Sequence, residues 1–175
     1  AKILAFSTII LYNLNTIDLN SNTLTLGSGV NVGLSGSGVP LQNPGSLVPG
    51  SNSTVTYNGS AAQVISSSAN INFNNLQVTN TAGVTLAKNL TSSNLTGNLT
   101  VTAGGVLNTG DGLNVYTITG AGASTTLTVG AASTLNIGSS ATAAGTFPTG
   151  FTTSTLNSTS TVVYSNSSSA TQTIS

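Results

Sequence analysis

Polar and apolar residues alternate with period two over much of this chain. Thr54-Val55-Thr56-Tyr57, Leu99-Thr100-Val101-Thr102 and Thr134-Leu135-Asn136-Ile137 follow the rule, and Asn70-Ile71-Asn72-Phe73-Asn74 follows it strictly. Successive side chains of a strand point to opposite faces, so this pattern predicts strands with one buried face. The β-branched Thr, Val and Ile that fill these runs suit a pleated surface. Clusters of Gly, Asn and Ser interrupt them at intervals typical of sandwiches, barrels and solenoids. No stretch combines a 3.6-residue apolar period with helix caps. Asn58-Gly59 lies between TVTY and AAQVI and predicts a tight hairpin, because both residues tolerate positive φ.

The chain also matches itself at long range. Ala1-Lys2-Ile3-Leu4 parallels Ala87-Lys88-Asn89-Leu90, and Asp18-Leu19-Asn20 parallels Asp111-Gly112-Leu113-Asn114. Thr23–Gly27 matches Thr126–Gly130, the Pro40 and Pro49 region matches Pro148, Tyr57 answers to Tyr164, and Ile65 to Ile174. The offsets grow steadily through 86, 93, 103, 107 and 109. That series predicts two copies of one module, 1–66 and 87–175, joined by a strand segment at 67–86. The expected fold class is all-β, either a β-solenoid or tandem β-sandwich-like repeats.

Composition narrows the function. Lys2, Lys88, Asp18 and Asp111 are the only charged side chains, while Ser, Thr, Asn and Gly supply 97 of 175 residues. Typical soluble domains are roughly a quarter charged. With so little charge, copies do not repel one another, and association is favoured. No basic patch exists to neutralise phosphates, which argues against nucleic acid as a partner. No apolar run approaches membrane-spanning length. The opening AKILAFSTIIL predicts a buried strand or two, because Tyr12-Asn13-Leu14-Asn15 breaks the run too early for an anchor helix.

The repeated stretches STVTYNGSAAQVIS, NLQVTNTAGVTLAKNLT and NLTVTAGGVLNTGDGLNVYTITG together resemble the repeats of very long secreted bacterial proteins. The chain is similar to adhesin-like cell-surface proteins, notably those of Bacteroidota, and more loosely to autotransporter passenger domains. The resemblance implies an extracellular or cell-surface location, β-solenoid or sandwich repeats, and work in adhesion, matrix or surface filaments.

Chemistry is scarce. His, Cys, Glu and Arg are absent, so neither a general base near neutrality nor an activated nucleophile is identifiable, and no enzyme activity, metal site or cofactor is expected. Asn108-Thr109-Gly110-Asp111-Gly112 offers a single carboxylate, too few for calcium, and reads instead as a turn that Asp111 closes on its own backbone. Seven Asn-x-Ser/Thr sequons, at Asn52, Asn58, Asn89, Asn94, Asn98, Asn157 and Asn166, permit glycosylation. They are no more numerous than random order would give. Thr-x-Thr pairs suggest an ice-binding face, yet the gaps between them run 31, 46, 17, 9, 27 and 18, too irregular for one pair per turn of a regular coil.

What remains is a protein whose partner is itself: a filament or surface-fibre subunit that joins head to tail through strands. Ile3, Leu4, Phe6, Ile9, Ile10 and Leu11 are the expected contact on one side, and Val162, Tyr164 and Ile174 on the other. The alternative is an adhesin stalk or a module that binds surface or matrix glycans. With four charges and no His, unfolding is expected to be nearly independent of pH and salt.

Overall fold

The computed structural model describes residues 3–6, 10–42, 45–139 and 145–166. Among them there is no helix. The strands are β1 (Ile3–Phe6), β2 (Ile10–Leu14), β3 (Ile17–Asp18), β4 (Thr23–Leu26), β5 (Asn31–Leu34), β6 (Leu41–Gln42), β7 (Ser46–Val48), β8 (Thr54–Tyr57) and β9 (Gln63–Ile65). They continue with β10 (Asn75–Val78), β11 (Val84–Leu86), β12 (Leu99–Val101), β13 (Val106–Asn108), β14 (Thr119–Val129), β15 (Thr134–Ser139), β16 (Thr149–Leu156) and β17 (Thr161–Asn166).

Every pairing between these strands is parallel. A parallel pair needs a long crossover. Here the crossover is the rest of a coil, so the fold is a β-solenoid of about six turns. Sheet 1 has the order β1-β4-β7, sheet 2 the order β16-β14-β12-β10-β8-β5-β2, and sheet 3 the order β17-β15-β13-β11-β9; β3 and β6 form a short fourth pair. In sheet 2, Val32 pairs with Val55, Val55 with Leu76, Leu76 with Leu99, and Leu99 with Leu127. Those partners are 23, 21, 23 and 28 residues apart, so the repeating unit of the backbone is a single coil.

The core is a set of columns running along the stack. Leu34, Tyr57, Val78, Val101 and Val129 form one inward column of sheet 2, and all are fully buried. Val84, Leu107 and Leu135 form another in sheet 3. Where sheet 1 thins out, single bridges keep its register: Leu47 to Ile71, Phe73 to Leu95, and Leu90 to Ile118. Phe73 meets Tyr57 edge to face, with ring centroids 6.5 Å apart and planes at 71°. Each coil buries several large apolar side chains against its neighbours, worth roughly 1.5–3 kcal/mol apiece, so adjacent coils hold one another in place.

One expectation is corrected. Asn58-Gly59 does not form a hairpin: β8 and β9 belong to different sheets, and neither residue has positive φ. Gly59 is required for another reason, because a Cβ there would lie 2.8 Å from the Gln63 amide carbon and 2.9 Å from Ser35 O. The long-range sequence matches also fall on different faces. Thr23–Leu26 is in sheet 1 but Thr126–Val129 in sheet 2, and Tyr57 is in sheet 2 but Tyr164 in sheet 3. Residues 67–86 supply Ile71, Phe73, Leu76, Val78, Val84 and Leu86 to the same continuous core.

Candidate functional site

The solenoid carries its chemistry in amides and hydroxyls that repeat from coil to coil. Asn75 Oδ1 accepts the Asn98 N–H at 2.9 Å, and Asn98 Oδ1 in turn accepts the Thr126 N–H at 2.8 Å. Asn74 Oδ1 accepts from Asn52 N at 2.9 Å, while Asn74 Nδ2 donates to Thr96 Oγ1 at 3.1 Å. Asn94 Nδ2 donates to Asn72 Oδ1 at 2.8 Å. On the outer face of sheet 3, Asn136 Nδ2 donates to Asn108 Oδ1 at 2.7 Å, and Asn108 Nδ2 to Thr85 Oγ1 at 3.3 Å. Such ladders are a known stabilising device of stacked strands. The sequence signal for the sheet 3 ladder is Leu-Asn-x-Gly, present at 107–110 and 135–138.

Next to that ladder the chain makes an excursion between β13 and β14, pinched by an antiparallel bridge between Gly110 and Val115. Asp111 closes it. Its Oδ1 accepts the N–H groups of Leu113 at 2.8 Å and Asn114 at 2.6 Å, and its Oδ2 accepts from Asn114 Nδ2 at 3.1 Å and the Tyr116 hydroxyl at 2.9 Å. These donors, led by Asn114, hold the carboxyl well below the usual carboxylate range, and the same contact raises the Tyr116 pKa. The loop is the self-bonded turn read from the sequence, and no cluster of three or more metal-ligating side chains occurs among the described residues. An open groove lies beside it, lined by Asn108, Gly110, Gly112, Asn136, Gly138, Ser139 and Ser165.

The last described coil is the most exposed. Leu156 follows Val129 in an inward column, yet Leu156 is 48% exposed whereas Val129 is fully buried. Val162 and Tyr164 continue the columns of Leu135 and Ile137 and are half-buried against the core.

The residues singled out as contacts lie at opposite ends of the stack. Ile3, Leu4 and Phe6 belong to β1, which pairs with β4; Ile10 and Leu11 belong to β2, which pairs with β5. Val162 and Tyr164 are in β17. Ile9 and Ile174 lie outside the described residues. Among the sequons, Asn52, Asn89 and Asn157 are exposed, whereas Asn58, Asn94 and Asn98 are half-buried. Asn94 and Asn98 are further committed to the ladders above. Asn166 ends β17.

No family model, curated protein or solved structure matches this chain.

Proposed function

We propose that the chain is a structural subunit of an extracellular filament or surface fibre that lengthens by stacking coil on coil, head to tail. The observation that carries this reading is that, among the described residues, sheet 2 has parallel strands throughout and its outermost strands are β2 on one side and β16 on the other. An open strand edge is a template for another strand, and heterologous contacts that do not close generate filaments. Leu156, half exposed at the end of an inward column, adds apolar surface to that edge. With sheets continuous across the junction, β2 of one copy follows β16 of the next. The contact strand in sheet 2 is then Thr149–Leu156, beside the Val162, Tyr164 and Ile174 contact expected from the sequence. The near absence of charge removes the usual protection of such edges.

A second reading, a stalk that binds neutral glycans, is favoured by the groove of amides, hydroxyls and bare glycines around Asn108 and Asn136. Electron microscopy of the purified protein separates the two. Uniform fibres one solenoid wide support the filament, and monomers retained on a glycan surface support the stalk.

A further inference from the structure

We infer that the outer face of sheet 2 binds ice. Along β8, β10 and β12 of that sheet the inward residues are buried and the alternate ones point out. In-register pairing then stacks the outward residues into columns. Thr56, Gln77, Thr100, Thr128 and Thr155 are successive partners in one unbroken column. Two residues back along the strands, Thr54 pairs with Asn75 and Thr126 with Thr153. Asn98 fills the place between, tied to Asn75 on one side and to both the amide and the hydroxyl of Thr126 on the other.

The result is a net of hydroxyls and amides repeating about every 4.8 Å along the stack and roughly every 6.6 Å along the strands. Each node both donates and accepts hydrogen bonds. Neither column contains a charged or aromatic side chain. A neutral face of this kind suits a neutral partner that is itself hydrogen-bonded and periodic in two directions, which is ordered water. A polysaccharide chain repeats in one direction only, and these two columns offer no aromatic platform to hold a sugar ring.

The irregular Thr-x-Thr spacing that argued against such a face does not survive folding. Leu76 and Leu99 are 23 residues apart and Leu99 and Leu127 are 28, yet both pairs are in register. Much of the variation lies between β13 and β14, in the Gly110 to Val115 excursion, and the register shifts of β14 against β16 fall before Thr126. The inference is independent of fibre formation, since the net lies on the side of the stack and not at its ends.

The test is partition of the protein between slowly growing ice and the remaining liquid. Thr100→Lys and the more exposed Thr155→Lys place a bulky charge in the net, and Thr134→Lys places one on the outer face of sheet 3; circular dichroism confirms that each variant folds. The expected result is enrichment in ice for wild type and T134K, with T100K and T155K left in the liquid. Exclusion of the wild type from ice overturns the inference. So does equal incorporation of T100K and T155K, or a loss in T134K as large as theirs.

Discussion

Gln63 and Asn80 meet as a buried amide pair, with Asn80 Nδ2 donating to Gln63 Oε1 at 2.9 Å. Gln63 Nε2 donates back one coil to Leu34 O at 2.8 Å and Gly36 O at 2.6 Å, and Gln63 Oε1 also accepts from Gly59 N at 3.0 Å. Asn80 continues the chain, donating to Ala61 O at 2.8 Å and accepting from Ala82 N at 2.7 Å. Three successive coils are thereby joined at one corner, without charge. Replacing Gln63 by Leu would keep the volume but leave two carbonyls, one N–H and the Asn80 amide short of a partner. Leu34 O keeps the Asn58 N–H and Asn80 Nδ2 keeps Ala61 O, so Gly36 O and the Gly59 N–H lose most. At about 1–3 kcal/mol for each buried group left unpaired, the expected loss is roughly 2–6 kcal/mol in chemical denaturation. Gln63→Glu should be comparably unstable at neutral pH and recover partly in acid. Burial raises the carboxyl pKa of the folded state, so the folded protein holds the proton more tightly and gains as pH falls. A Gln63→Leu protein as stable as wild type would mean that the corner relaxes around the lost bonds.

Tyr57 is the opposite case. Its ring is fully buried against Phe73, and its hydroxyl makes no hydrogen bond to the described residues. Burial accordingly pushes its pKa up. Because an unpaired buried hydroxyl is destabilising, Tyr57→Phe should raise stability by about 1 kcal/mol. The check is a pair of urea unfolding curves with equal slopes and a higher midpoint for the variant. A fall of similar size would show that the hydroxyl is satisfied through ordered water.

The sequence made the strands legible because burial follows the period of two residue by residue, as in Thr54–Tyr57 and Asn75–Val78. It hid the coil, because a coil is defined by parallel pairing across connections whose length is free to vary. Thr23–Leu26 and Thr126–Val129 share both sequence and burial pattern while standing on different sheets, so local likeness there reports strand chemistry and not position in the stack. Asn58-Gly59 misled for a related reason. The glycine is needed where two backbones approach closely, and a sequence does not distinguish that demand from a demand for positive φ. Gln63 and Asn80 gave no signal at all, since a buried amide is recognisable only from the partners that the fold brings to it.

Lys88 modifies the expected indifference to pH. Its Nζ donates to Ser68 O at 2.7 Å and Ile71 O at 2.6 Å, closing the turn of the preceding coil. Burial pulls its pKa down to about 8 from an ordinary 10.5, even though both carbonyls favour the ammonium form. Between those two values the unfolded chain holds more proton than the folded one, so stability should rise with pH across that window and be lower below it. Thermal melts taken from neutral pH up to about 9.5, below the range in which the raised Tyr57 pKa acts the other way, should show the rise in wild type and its absence in Lys88→Met. A flat profile in wild type would mean that the two carbonyl contacts fully offset burial. Asp111 lies outside this window. Its depressed pKa keeps the 109–117 loop intact until strongly acidic pH, and the contribution is lost only as pH falls through that low value.

The filament reading is tested at Leu156. Its partner in the preceding coil, Val129, is fully buried, so one further coil stacked on β16 would bury Leu156 in the same column. Covering a half-exposed leucine contributes roughly 1 kcal/mol, and the polymer gains that at every junction. Leu156→Lys replaces the gain with the desolvation of an ammonium group, while the monomer, which leaves the position half open to water, should melt almost unchanged. The expected outcome is a critical concentration for fibre growth raised at least about tenfold, since roughly 1.4 kcal/mol corresponds to that factor. Thr161→Lys, on an exposed position of β17, serves as the control for added charge alone. If Leu156→Lys and wild type form fibres at the same concentration, the junction does not run through the end of this column, and head-to-tail stacking on β16 is wrong. If both variants lose fibres equally, charge and not the apolar column governs assembly, and the exposed leucine has no part in it.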